Sequence, residues 1–276
     1  MRAIITGSSG FIGKAFSQAT KDIFEEQILI EADILQGDWR QTLRHNFLDP
    51  PEAVFHFGAC SDTMNQDSKD MLLKNVIFSN YLADLCHMFG VPFIYSSSAS
   101  VYGKTQFSVK KEDLSLSLYA NSKLIAEQYA IKSEGIALRY FNVYGYDESH
   151  KGKMASMAYQ AYQKYIKDEK VYLFGGYPKR DFVYVKDIIS ANLFAFHNYK
   201  NLSGDFYDVG YGQARKFQDM MKIMSIPYAY NFISPPEHYQ YYTKAKKFMP
   251  GWLPEWSLEE GLTEYLEVLV NLEDIS

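Results

Sequence analysis

The sequence predicts an α/β chain built on a doubly wound parallel sheet, with a smaller C-terminal lobe. Three observations predict it. Short apolar, β-branched runs alternate with helix-length segments through the first half of the chain. The first of these runs passes through closely spaced glycines straight into a helix-like stretch. After about residue 141 the chain turns aromatic and less regular, punctuated by glycine and proline. The expected boundaries are therefore 1–141 for the sheet domain and 142–276 for the lobe, with no clean linker between them. Strands are expected in the lobe near 171–174, 181–185 and 205–209, and some of its segments return to the main sheet.

Each element has a local reason. Ala3–Thr6 is a β-branched run, and Gly7-Ser-Ser-Gly10-Phe11-Ile12-Gly13 then opens a helix through about Ala19. Strand, glycine turn and helix form the first unit of a dinucleotide-binding Rossmann fold. Gly7 permits the tight turn, Gly10 lets backbone approach a pyrophosphate, and Gly13 allows close packing of helix on sheet. Phe11 and Ile12 begin a helix whose N–H groups face the phosphates. An ordinary strand–helix turn has the same local pattern. Residues 28–31 read as the second strand, and Glu31 falls roughly 20 residues beyond the turn, where an acid accepts bonds from the adenosine ribose. A solvated strand end reads identically.

Residues 32–37 form a short connection that leaves little room for a crossover helix. Asp38 follows as a candidate contact for the adenine. Residues 53–57 read as a buried strand ending in Gly58-Ala-Cys60-Ser61, with His56 and Cys60 as core. Helix-like segments are expected at about 68–89, a strand over 92–98 ending in a serine cluster, and a further strand over 136–141 after the helix that carries Tyr119.

Composition limits the partners. The chain has 276 residues, 47% of them hydrophobic, enough for a large core. Its net charge is −5, from 28 basic and 33 acidic residues without a run of one sign. That argues against nucleic acid or an anionic membrane as the main partner. Cys60 and Cys86 are too few for a disulfide framework and lack metal-ligand spacing, so no metal is expected. The N-terminus enters a short strand rather than a signal peptide, and no stretch is long enough to span a bilayer, so a cytoplasmic protein is expected.

Tyr119 and Lys123 carry the chemistry. Four residues apart on a helix, they project from one face within reach of each other. An ammonium beside a phenol favours the phenolate, which makes the pair a proton acceptor for a sugar or alcohol hydroxyl. With 23 tyrosines in the chain, the spacing alone is unspecific. Its specificity comes from what precedes it: the glycine turn, then Ser96-Ser97-Ser98-Ala99-Ser100-Val101-Tyr102-Gly103.

In this order the three elements resemble the short-chain dehydrogenase/reductase superfamily, in its extended, nucleotide-sugar-modifying branch, over nearly the whole chain. The resemblance implies that Tyr119 is the acid/base. Lys123 is implied to bind the nicotinamide ribose and lower the Tyr119 pKa. A serine hydroxyl is implied to bond to the reacting oxygen, aligned on Ser98, with neighbouring Ser97 left open. Asn75 is expected to hold backbone near the nicotinamide. Related 4,6-dehydratases carry Asp-Glu where this chain has Ala99-Ser100, which argues against dehydration.

Later segments narrow the resemblance. Arg139-Tyr-Phe-Asn142-Val-Tyr-Gly145, Asp147-Glu-Ser-His150-Lys151-Gly-Lys-Met154-Ala-Ser156 and Lys179-Arg180-Asp-Phe-Val-Tyr-Val185 are similar to the ADP-L-glycero-D-manno-heptose 6-epimerases. Gly58 to Ser61 with Thr63, and Tyr239-Gln240 with Thr243, add to the match. The reaction implied is inversion of C6 of an ADP-linked heptose through a transient ketone, with a tightly bound nicotinamide cofactor. Inverting a carbinol this way takes hydride from one face and returns it to the other. A second proton-handling group therefore suits the reoriented sugar. The resemblance puts that role on Lys151; a surface lysine, or one that neutralises substrate phosphate, is the plainer reading of the residue alone.

The resemblance implies substrate contacts at Ser61, Asn142, His150, Met154, Arg180 and Tyr239. A guanidinium grips phosphate oxygens in a bidentate way, so Arg180 suits the diphosphate, with an ion pair to Asp181 or Asp187 as the alternative. Asn142 is expected to fix the loop that carries substrate contacts. Two departures matter. The resemblance implies NADP, whereas Glu31 and Asp33 repel a 2′-phosphate and favour NAD. His238 stands where the epimerases carry arginine. A homo-oligomer is implied. The alternatives kept are a 4-epimerase or 4-keto reductase of the same superfamily, and a non-catalytic dinucleotide-sensing protein.

Overall fold

The computed structural model describes residues 1–31, 35, 37–63, 65–103, 117–233 and 239–273, so Asp33 and His238 lie outside the described residues. In chain order the first half runs β1 Arg2–Thr6, α1 Phe11–Ala19, β2 Glu26–Ile30, α2 Trp39–His45, β3 Ala53–His56, α3 Ser68–Met71, a π-helical segment Leu72–Ile77, α4 Phe78–Phe89, β4 Phe93–Ser98, α5 Leu118–Lys132 and β5 Ile136–Tyr140. The second half runs β6 Asn142–Tyr144, α6 Met157–Ile166, β7 Val171–Phe174, β8 Lys179–Tyr184, α7 Val185–His197, α8 Tyr199–Leu202, β9 Asp205–Val209, β10 Ala214–Lys216, α9 Phe217–Ile223, β11 Tyr228–Asn231 and α10 Leu258–Glu273.

Two compact units share these elements. The first comprises Met1–Val101, Leu116–Arg139 and Ile189–Asp208; the second takes the described parts of Tyr102–Ser115, Tyr140–Ile188 and Val209–Ser276. The first unit is organised by a six-stranded sheet in the order β2-β1-β3-β4-β5-β9. The pairs β1–β2, β1–β3 and β3–β4 are parallel. Continuous burial of β3, and of β4 up to Ser98, explains their uninterrupted apolar runs, because helices cover both faces of such a sheet. Ile4, Val54, Phe93, Tyr95 and Ala137 from the strands join Phe78, Leu82 and Ala126 from the helices in one core. Chain order reverses between β1 and β3, so the ligand-accepting crevice of an open sheet falls at their carboxyl ends.

In the second unit β6, β8 and β10 form a three-stranded sheet and β7 pairs with β11. The expected strand near 181–185 spans Lys179–Tyr184, and Val185 already begins α7. Two further expectations are corrected. The second strand starts at Glu26 and ends at Ile30, leaving Glu31 just beyond it. A crossover helix does form, seven residues long, because Asp38 caps it by accepting Gln41 N at 3.3 Å. The helix-like segments expected at about 68–89 are α3, the π-helical segment and α4 in unbroken succession. Among the described residues no helix is long and apolar enough to cross a membrane, and no group of three or more His, Cys, Asp or Glu is placed to hold a metal ion.

Candidate active site

The glycine turn sits at the switch point, at the end of β1. Gly7 has φ +67°, and a Cβ there would lie 2.8 Å from the Gly58 backbone, in the turn after β3. A Cβ on Gly13 would lie 2.1 Å from the Gly7 carbonyl oxygen, so helix and turn touch without a side chain between them. α1 starts at Gly10 with no side-chain cap and no acid in its first turn. Its positive end is therefore left for an external anion, which fits the pyrophosphate of a dinucleotide. Phe11 is 4% exposed, its ring packed inside the fold. Ile12 beside it is half-buried. Glu31 is held against the same turn: its carboxylate accepts the Ser9 amide at 2.6 Å, the Ser9 hydroxyl at 2.5 Å and the Ser8 hydroxyl.

His56 is a core residue, as expected. Its ring is fixed between the hydroxyls of Thr6, at 2.6 Å, and Ser79, at 2.7 Å. Burial, reinforced by the nearby Lys123 charge, pushes its pKa down to about 3, so it stays neutral. Cys60 is not core. It lies half-buried in the turn after β3, because that turn leaves the sheet. Ser61 next to it is exposed.

Asn75, fully buried in the π-helical segment, explains the geometry of that turn. Its side chain accepts the Cys60 amide at 2.7 Å and donates to the Cys60 carbonyl at 3.1 Å and to Ser122 Oγ at 2.9 Å. Ser122 in turn donates to the Tyr119 carbonyl at 2.7 Å. One amide thus ties the β3 turn to the first turn of α5. Nothing in the helical periodicity signals the π segment or the part played by Ser122; π segments are common at functional sites for this reason, since the extra residue re-aims one side chain.

β4 and α5 bring Ser98, Tyr119 and Lys123 together. Ser117 caps α5 by accepting Ala120 N at 3.2 Å, which fixes the start of the helix one residue before Tyr119. Ser98 is hydrogen-bonded to Tyr119. It also accepts bonds from Ser100, from the hydroxyl at 2.9 Å and the amide at 3.2 Å. Ser97 points elsewhere and donates to Glu127 at 2.5 Å. The structure thus separates two serines that the sequence leaves open. Ser100, which the sequence marks only as a position where dehydratases differ, is thus also a hydrogen-bond partner of Ser98.

Electrostatics here depart from expectation. Lys123 is 4% exposed with its ammonium over the Tyr95 ring at 4.6 Å. Burial pushes its pKa down to about 7, against the pull of Glu127. Tyr119 is half-buried, and desolvation of its phenolate raises its pKa, opposed by the bond with Ser98. The expected lowering of the Tyr119 pKa by Lys123 is therefore not met: desolvation of the phenolate is the largest influence on it and raises it.

The second unit holds the remaining candidates in two places. Lys151, His150 and Met154 share the 3₁₀ turn Ser149–Met154, where His150 is exposed and Lys151 and Met154 are half-buried. Glu148, 1% exposed, anchors that turn by accepting Ser156 N at 2.5 Å, Ser156 Oγ at 2.6 Å and the Tyr265 hydroxyl at 2.9 Å. Burial lowers the Lys151 pKa, with Glu148 opposing. Arg180, 5% exposed on β8, stacks its guanidinium over Tyr239 at 4.7 Å. The carboxylates offered as its ion-pair partners serve backbone instead. Asp181 accepts amides of Tyr211, Gly212 and Ala245, and Asp187 those of Glu255 and Trp256. Asn142 is exposed at the start of β6, paired with Phe182.

Comparisons with known proteins agree with this geometry. The profile of the NAD dependent epimerase/dehydratase family matches residues 3–210. ADP-L-glycero-D-manno-heptose-6-epimerase of Pseudomonas paraeruginosa is 35% identical over 253 residues, covering 80% of this chain and 76% of its own. The same enzyme of Pseudomonas aeruginosa is 36% identical with equal coverage. The crystal structure of Helicobacter pylori ADP-L-glycero-D-manno-heptose-6-epimerase superposes with a TM-score of 0.83 at 26% identity, over 98% of this chain and 96% of the other. UDP-glucuronic acid 4-epimerase from Bacillus cereus, solved with UDP-glucuronic acid and NAD, shares the fold with a TM-score of 0.80 at 22% identity. From glycine turn to Ser98, Tyr119 and Lys123, the chain belongs to the NAD dependent epimerase/dehydratase family.

Proposed function

We propose that the chain is a nucleotide-diphospho-sugar epimerase that inverts C6 of an ADP-linked heptose. The observation that carries the reading is the Ser98–Tyr119 hydrogen bond with Lys123 one turn along the same helix. The heptose and its nucleotide rest on relatives 35–36% identical that are named for that reaction. When bound, the nicotinamide supplies a reversible hydride acceptor, so the carbon is inverted through a transient ketone. The protein's own residues manage the proton and hold the sugar. Tyr119 exchanges the proton of the reacting hydroxyl, Ser98 shares that oxygen, and Lys123 holds the nicotinamide ribose. Lys151 is the second acid/base, and its lowered pKa supports the role because a buried amine gives up its proton more easily. Arg180, presented on the Tyr239 ring, meets the diphosphate. Ser61 of the first unit, with Asn142, His150 and Met154 of a lobe that includes most of residues 142–276, completes the proposed substrate contacts.

NAD rather than NADP is the cofactor in this reading. The Glu31 carboxylate, pinned by Ser8 and Ser9, puts a negative charge beside the glycine turn, where a 2′-phosphate is repelled. Asp38 lies further along for the adenine. Mass spectrometry of cofactor released from the purified protein is expected to give NAD; NADP overturns this part. Assembly of copies and residence in the cytoplasm belong to the same proposal, checked by light scattering and cell fractionation.

The function is tested by incubating the purified protein with ADP-D-glycero-D-manno-heptose and following both C6 epimers by NMR. Interconversion without net cofactor turnover is expected. Stoichiometric consumption of reduced cofactor identifies a reductase instead, and an inert protein sinks the catalytic reading. Lys151→Met is expected to lower kcat about 10²-fold or more with cofactor still bound. Wild-type kcat in that variant removes the two-base mechanism.

A further inference from the structure

Behind Ser98, Tyr119 and Lys123 lies a set of buried charges that the proton chemistry does not touch. Glu127 follows Lys123 by four residues on α5, so both side chains leave the same face. It is 1% exposed, and its carboxylate is fully engaged. Arg139 on β5 grips it with two bonds, Nε at 2.9 Å and Nη2 at 2.5 Å, and Ser97 of β4 donates a third at 2.5 Å. Arg139 is itself 8% exposed, its guanidinium stacked on Phe206 of β9 at 3.5 Å. The result is a fixed link from β9 through β5 to α5 and the end of β4, one residue short of Ser98.

A buried carboxylate is costly unless it is paired, and the same stability is reachable with apolar residues of equal volume. The location of this one suggests a use for it. Around Lys123 the titratable neighbours are Glu127 and Tyr119 on its own helix, Tyr95 on β4 and His56 on β3. Glu127 is the anion among them whose effect favours the ammonium. Around Glu127 stand Arg139, Ser97 and Tyr95.

We propose that Glu127 is a positioning residue for the Ser98–Tyr119–Lys123 site: through Ser97 it sets the end of β4 against α5, and its carboxylate, one turn along the same helix, favours the Lys123 ammonium. The proposal rests on the reading of that site as the reaction centre, and its test separates the two. Protein labelled with ¹³C-lysine is titrated by NMR, with the Lys123 signal assigned by its loss in Lys123→Arg. Glu127→Gln is expected to move the Lys123 midpoint down by about one pH unit. The alkaline limb of kcat for epimerisation should follow it downward, because the ammonium is the form that is lost as pH rises.

Ser97→Ala keeps the charge and breaks only the tether. Its expected signature is a several-fold lower kcat with both the midpoint and the limb unmoved, while Glu127→Asp restores the midpoint. Should Glu127→Gln fail to fold with Arg139 stranded, the double variant Glu127→Gln/Arg139→Met carries the same titration, since it leaves no unpaired charge. An unmoved Lys123 midpoint in the folded neutral variant overturns the proposal, even if activity falls. A moved midpoint in a protein that does not epimerise leaves Glu127 in its role and overturns the reaction instead.

Discussion

Tyr119→Phe is expected to lower kcat by about 10²–10⁴-fold, the range associated with one positioned acid/base group, while cofactor stays bound. The substitution keeps the ring, so the packing of α5 on β4 survives and the loss reports the hydroxyl alone. It removes both the proton carrier and the partner of Ser98. Initial rates with ADP-heptose, together with the cofactor content of the purified variant, check it. A loss smaller than 10-fold contradicts the assignment of Tyr119. The bond with Ser98 adds a pH signature. It lowers a Tyr119 pKa that burial has raised, so Ser98→Ala should raise that pKa further. The limb of kcat on which Tyr119 must give up its proton then moves to higher pH. Ser97→Ala should not move it.

The second large effect is mechanical. Gly13→Ala would ordinarily be stabilising, since alanine is favoured over glycine in a helix by about 1 kcal/mol. Here the added Cβ meets the Gly7 carbonyl oxygen at 2.1 Å and its carbon at 2.8 Å, both backbone atoms of the turn. Overpacking of this kind costs about 1–3 kcal/mol or more, and the clash should outweigh the helical gain. A fall in Tm of about 5 °C or more is expected, with weakened cofactor retention because the turn must open to make room. Gly10→Ala is the control. Its Cβ would lie 3.2 Å from the same oxygen, a contact that asks the turn to give by only a few tenths of an ångström. Thermal melts of the two variants should therefore differ clearly, and equal melting points contradict the steric account.

The parts of this site that could be read from sequence are those written in local spacing. The glycines at 7, 10 and 13 and the pair Tyr119–Lys123 each lie within two helical turns, where periodicity translates directly into which faces meet. His56 could be placed in the core because it interrupts an otherwise apolar strand. What escaped the sequence depends on contacts between distant segments. The stacking of Arg180 on Tyr239 joins positions 59 residues apart, counting from the numbering itself. The π-helical segment around Asn75 needs Cys60 and Ser122 as partners before its extra residue has a purpose. The direction of the Tyr119 pKa failed for the same reason. Proximity to Lys123 is visible in the spacing, whereas the burial that overrides it is set by the whole sheet.

The place of β9 has a consequence for how the chain matures. The sixth strand of the main sheet, Asp205–Val209, is made long after β5, Ile136–Tyr140, with β6, β7 and β8 of the second unit emerging in between. Until it arrives, β5 is an unpaired edge with its backbone donors and acceptors open, a template for wrong strand pairing between nascent chains. The first unit is thus not a vectorial folding unit: its nascent chain must keep a half-finished sheet while another unit is synthesised. Arg139, on that waiting edge, gains its Phe206 platform only then. Truncations ending near residue 141 should accordingly aggregate during synthesis, whereas chains extended through residue 209 can close the sheet.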